Sequence, residues 1–223
     1  MQNSSVDSIL GFCILLLVLD FQDKKSILIW VIGFMNGWNY LCVMRKLSMD
    51  ELGRMSVAAF KEAKKNPLVV VLDNIRSMHN VGSVFRTADA FRIEAICLCG
   101  YTPQPPHRDI QKTALGATET VSWIYYENTL AAIHALKQNG YQIFSVEQAE
   151  GSISLENIQE SGAKIAVVFG NEVAGVDADV LAASDGCIEI PQLGMKHSLN
   201  ISVAAGIVLW KFSEPIFANW KES

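Results

Sequence analysis

A chain of 223 residues, half of them hydrophobic and only 18% charged, is long enough for one ordinary domain with a short appendage, and this balance excludes global disorder. The formal net charge of −5 excludes indiscriminate nucleic-acid binding while leaving room for a local basic face. The cysteines lack CxxC spacing, and Cys97 and Cys99, on one face of a strand, make a poor metal site without nearby histidines. They read as reduced core residues of a cytoplasmic protein, with no metal centre.

Residues 1–43 differ in character from the rest. The apolar run 9–19 is too short to span a bilayer and has no basic segment before it, so it is a poor signal peptide. Residues 27–43 form a longer run, broken by Asn36 and Asn39. A membrane hairpin, an extra packed element and an extension outside the working protein all fit. The extension is the preferred reading, and membrane association is not expected. Residues 44–66 are expected to supply an N-terminal helix, with helical spacing over 49–65 ended by Asn66-Pro67.

From there the pattern alternates. Residues 67–72 are a β-branched run typical of a strand buried on both faces. A helix is predicted over 81–91, followed by strands over 95–100 and 121–125 and a helix over 130–139 closed by Gly140. Strands over 141–146 and 165–169 come next. Helix 178–183 is expected to be capped by Asp177, and strand 187–190 leads to the C-terminal helix. Strands separated by helices, without hairpin signals, predict an α/β domain over 67–223 with a mostly parallel sheet flanked by helices. Ligands in such sheets sit at the carboxyl ends of strands, which directs attention to the loops after Leu72, Val146, Phe169 and Ile190.

Three of those loops carry polar residues beside glycines. In the first, Asn80 is placed to cap the following helix, Gly82 lets another group approach its first turn, and Arg86 shares a face with Gly82 and Ala90. His79 reads as structural or solvated. The second, Gly170-Asn171-Glu172-Val173-Ala174-Gly175, matches neither the dinucleotide nor the P-loop fingerprint. Its glycines can admit a flat ligand to bare backbone amides, with Glu172 holding a polar partner. In the third, Pro191 ends a strand, Ser198 or Asn200 caps a helix, and the small residues Ser202, Ala204, Ala205 and Gly206 permit close approach.

In order and detail these stretches resemble the signature motifs of the SpoU/TrmH family of RNA ribose 2′-O-methyltransferases, in the SPOUT superfamily. The residues concerned are Asn80-Val81-Gly82 with Arg86-Thr87-Ala88-Asp89, then Phe169-Gly170-Asn171-Glu172 with Gly175, then Ile190-Pro191 with Ser198-Leu199-Asn200-Ile201-Ser202-Val203-Ala204. The match covers roughly residues 67–212 and includes the familial Lys112-Thr113-Ala114-Leu115-Gly116-Ala117.

The resemblance implies a C-terminal trefoil knot, a homodimer, and S-adenosylmethionine held by Gly170, Ile190, Leu199 and Ser145. It implies a catalytic set of Arg86, Asn80, Glu172, Ser198 and Asn200. The implied substrate is structured RNA rather than DNA, with the short N-terminal region favouring tRNA over rRNA. A catalytically silent RNA-binding or ribosome-assembly factor of the same fold is the alternative. Arg76, Arg86, Arg92, Arg108, Lys112 and Lys196 are the candidates for a basic RNA-binding rim.

Overall fold

The computed structural model describes residues 45–48, 50–53, 55–158 and 163–218. The apolar segment 1–43, and the choice among its three readings, lies outside them. The chain divides into two compact units, Met1–Met55 and Ser56–Ser223. In the first, Arg45 donates to both carboxylate oxygens of Glu51, at 2.6 and 3.0 Å.

The second unit begins with a helix shorter than expected. Among the described residues of the predicted helix over 49–65, only α1 (Val57–Glu62) is helical; the Ser56 hydroxyl caps it by accepting from the Ala59 amide at 3.1 Å. Leu52, Met55 and Val57 are exposed and only Phe60 is buried. Without a buried face, helical spacing alone cannot sustain a longer helix.

Seven parallel strands follow. They are β1 (Asn66–Asp73), β2 (Ile93–Cys99), β3 (Ser122–Tyr126), β4 (Gln142–Val146), the two-residue β5 (Ile153–Ser154), β6 (Ile165–Phe169) and β7 (Gly186–Glu189). Their order across the sheet is β3-β2-β1-β6-β4-β7-β5. The expected mostly parallel α/β architecture is what the chain adopts.

The β-branched run of β1 explains the layers. Leu68, Val70 and Leu72 point to one face, where they meet Val84, Phe85 and Ala88 of α2 (Met78–Ala90) and Ala205, Val208, Leu209 and Phe212 of α7 (Ile201–Ala218). Val69 and Val71 point to the other, under Ala132, Ile133 and Leu136 of α5 (Thr129–Gln138) and Val180 of α6 (Ala178–Ala183). Each such fully buried aliphatic side chain contributes about 1.5–3 kcal/mol. Cys97 and Cys99 belong to the second layer as free thiols, and burial pushes both thiols up to about 12.

Two further helices, α3 (Arg108–Ala114) and α4 (Ala117–Thr120), were not expected. They are separated by Leu115 and Gly116, both in the left-handed region at φ 50° and 92°. Both pack on α2, and a Cβ on Gly82 would lie 2.2 Å from Thr113 Oγ1 and 2.3 Å from the Ile110 carbonyl oxygen. That is the close approach anticipated at Gly82. Among the described residues, no helix is long and apolar enough to cross a membrane.

Candidate active site

Strands β1, β6, β4 and β7 are consecutive in the sheet, so the loops leaving their carboxyl ends meet. Between them lies a cavity of about 600 Å³. Its wall is formed by Val146, Glu147 and Gln148 after β4, by residues 169–175 after β6, and by Ile190, Gln192, residues 197–201 and Ala204 after β7. Six predicted site residues line it: Gly170, Glu172, Ile190, Ser198, Leu199 and Asn200.

The glycine loop is shaped by its own backbone. Gly170 packs so closely on Gly175 that a Cβ there would lie 2.2 Å from the Gly175 carbonyl carbon. Asn171 and Gly175 exchange two backbone hydrogen bonds, each of 2.9 Å. The nearly buried Asn171 side chain locks the loop. Its Oδ1 accepts from the Val173 and Ala174 amides at 2.9 and 3.0 Å, and its Nδ2 donates to the Asn74 carbonyl at 2.7 Å and the Tyr101 hydroxyl at 2.8 Å.

Glu172 joins this loop to the start of α2. One carboxylate oxygen accepts from the Arg76 amide at 2.9 Å; the other accepts from the Ser77 amide at 3.1 Å and from Asn80 Nδ2 at 3.0 Å. Burial pushes the Glu172 carboxyl upward, but the Arg76 amide, the Asn80 side chain and further backbone N–H groups outweigh it and hold it below its ordinary value. Asn80 Oδ1 in turn accepts from Asn200 Nδ2 at 3.2 Å. Asn200 Oδ1 accepts from the amide and hydroxyl of Ser202 at 2.9 and 2.6 Å, which caps α7. One chain of hydrogen bonds thus links all three loops.

Three expectations need correction or qualification. Asn80 does not cap α2; Ser77 does, its hydroxyl accepting from the Asn80 amide at 3.3 Å. This places Asn80 inside the first turn and frees its side-chain carboxamide to bridge Glu172 and Asn200. Ser145 does not line the cavity. It is fully buried on β4 and its hydroxyl pairs with that of Ser184 at 2.7 Å. Because Ser184 donates to the Val180 carbonyl, Ser145 is the donor in that pair and serves to pin α6. Asp177 stands at the N-cap of α6, as expected, but its side chain makes no capping bond.

Arg86 stands apart from the cavity wall, exposed on α2, its guanidinium making no hydrogen bond or ion pair to another described residue. His79 is exposed, and its carbonyl accepts from the Ser83 and Thr113 hydroxyls. Ser77, Asn171 and Glu147 escaped the sequence reading as site residues. Glu147 had a signal, since it is the first residue after a strand end already singled out.

Residues 67–210 match the model of the SpoU rRNA Methylase family. The chain belongs to this family. It is 30% identical over 168 residues to a tRNA (guanosine(18)-2′-O)-methyltransferase of Borreliella burgdorferi, covering 75% of each chain. It superposes on an AdoMet-bound rRNA methyltransferase from Sinorhizobium meliloti with a TM-score of 0.65 and 26% identity, covering 70% of this chain and 60% of that one. An A. aeolicus TrmH/SpoU tRNA modifying enzyme gives a TM-score of 0.64 and 25% identity over 72% of this chain and 80% of that one. The chain spans only 60% to 61% of TrmH-family relatives from Staphylococcus.

The cavity fits the family's cofactor. Its volume lies in the usual small-molecule range, its glycines bare backbone groups, and its lining residues include the carboxylates of Glu147 and Glu172 but no lysine or arginine. Such a lining suits a cofactor that carries a sulfonium and an ammonium against a single carboxylate. The cavity of this family member therefore suits S-adenosylmethionine.

Proposed function

We propose that this enzyme methylates a ribose 2′-hydroxyl of tRNA. The observation that carries the reading is the hydrogen-bonded line Glu172–Asn80–Asn200, which fixes the three loops around the cavity. The name of the Borreliella relative supports both the 2′-oxygen and tRNA as its target.

When bound, S-adenosylmethionine supplies a methyl group on a sulfonium. The protein must bind it, align the acceptor oxygen and manage a proton. Gly170, Ile190 and Leu199 would hold the cofactor through their backbone. Ionised Glu172 and the two asparagine amides keep the loops in one arrangement, and Ser198 offers a hydroxyl on the wall. Arg86 is the one member of the set with its charge free of partners among the described residues. A guanidinium keeps its proton at any ordinary pH, so its role is to stabilise the developing alkoxide or to hold an RNA phosphate that accepts the proton.

Arg86→Ala is expected to leave cofactor affinity nearly intact in calorimetry and to abolish transfer of radiolabelled methyl to total RNA. Lost cofactor binding with transfer intact at saturation would overturn the assignment. Absence of transfer by the unmodified enzyme would leave an RNA-binding protein instead. Mapping 2′-O-methyls in RNA from a deletion strain separates tRNA from rRNA.

Homodimer formation belongs to the same reading. The face of α7 bearing Val203, Ile207 and Trp210 is exposed, and a Cβ on Gly206 would meet nothing within 4 Å. Ala205 is spent on the core, so Gly206 is the small residue of α7 left for an approach from outside the chain. A knot at the C-terminal end is also proposed. Its support is that α7 returns from beyond β4 to pack on α2 and central β1. A cytoplasmic setting agrees with the free thiols of Cys97, Cys99 and Cys187.

A further inference from the structure

We propose that Glu147 binds the cofactor, its carboxylate accepting hydrogen bonds from the vicinal hydroxyls of the cofactor's ribose. The proposal rests on the assignment of this cavity to S-adenosylmethionine.

Glu147 is the first residue beyond β4, at the carboxyl edge of the sheet, and lines the cavity together with the glycine loop. Its main chain is tied to β7: its amide donates to the Ile188 carbonyl at 3.0 Å, and its carbonyl accepts from the Cys187 thiol at 3.3 Å. Its carboxylate is held just as firmly. Oε1 accepts from the Gln148 amide at 2.9 Å and Oε2 from the Val176 amide at 3.1 Å. The loop is folded around it, since Gly175 sits at φ +73° and a Cβ there would lie 2.3 Å from Oε2.

The two carboxylates of the cavity differ in what they have left to offer. Glu172 spends its oxygens on Arg76, Ser77 and Asn80. Each Glu147 oxygen has one partner among the described residues, and a carboxylate offers about four acceptor positions in all. One position therefore stays open on each oxygen, and an ionised carboxylate takes only donors. Two neighbouring acceptors held rigidly by backbone amides match two neighbouring hydroxyls. An acidic residue taking ribose hydroxyls at the carboxyl edge of a parallel sheet is an established solution in other α/β nucleotide sites.

The test is calorimetric binding of S-adenosylhomocysteine, its 2′-deoxy form and methylthioadenosine, which keeps the diol but lacks the ammonium. The full chain and Glu147→Gln are compared. The unmodified protein is expected to bind the deoxy ligand about tenfold or more weakly, as for loss of a hydrogen bond to a charged group. Glu147→Gln should lose a similar factor for both diol ligands and little for the deoxy one. Equal binding of S-adenosylhomocysteine and its deoxy form by the unmodified protein overturns the proposal, whether or not the variant folds. So does a variant that loses S-adenosylhomocysteine but not methylthioadenosine, because the ammonium is then the partner. Failure of the unmodified protein to bind any of the three would instead remove the cofactor from this cavity.

Discussion

Among the described residues Glu172 has three donors from other residues and no counter-ion, so hydrogen bonds stabilise its charge. Its folded pKa is lowered; the stability it contributes is present above its unfolded value, about 4.3, and is lost as pH falls toward the folded value. Glu172→Gln is expected to flatten the decline of melting temperature across that acid range, and identical acid profiles for the two proteins would contradict it. The same carboxylate marks the limit of the sequence. Ser77 and Asn80 are both good helix caps three residues apart, and local propensity cannot choose between them. What decides is a partner 92 residues away, which holds Asn80 by its side chain and leaves the cap to Ser77. Ser145 misled for a related reason: its position beside the loop was legible, but which way its hydroxyl is satisfied depends on Ser184 of a distant turn.

At the scale of elements, α2 is gripped along its length. Thr113 of α3 donates to the His79 carbonyl at 3.0 Å near one end, and Thr120 of α4 donates to Asp89 at 2.5 Å near the other. Gly82→Ala would gain about 1 kcal/mol of helix propensity but drive a methyl into Thr113 and the Ile110 carbonyl, an overpacking that costs about 1–3 kcal/mol. The backbone contact cannot yield as a flexible side chain would, so the variant is expected to melt lower, by about 2–4 °C per net kcal/mol. A raised melting temperature would show that α3 gives way. Six of the seven strands were readable because apolar runs and their breaks announce themselves, whereas the two-residue β5 is too short to show a pattern. Helices α3 and α4, of 7 and 4 residues, are too short to show a period and exist because α2 offers them a surface.

For the whole molecule, the proposed dimer makes a direct demand on α7. Val203, Ile207 and Trp210 recur at helical spacing and are 50%, 39% and 54% exposed within one chain. Ile207→Glu is expected to shift sedimentation from dimer to monomer with little change in circular dichroism; a dimer that persists would move the interface elsewhere. The parallel sheet was legible from alternation alone, whereas its order, with β6 inserted beside β1, was not, because no local signal encodes which strands become neighbours. That order governs when the site can exist. Its hydrogen bonds join residues 92, 96 and 120 positions apart, and closing such loops is entropically costly and slow. Those to Glu172 cannot form until β1 and β6 are side by side, and the bond between Asn200 and Asn80 must also wait for the last helix to dock. Cofactor binding on refolding should therefore lag behind far-ultraviolet circular dichroism, and recovery in step would mean the loops assemble with the strands. A nascent chain of this enzyme is inert until its final helix is in place.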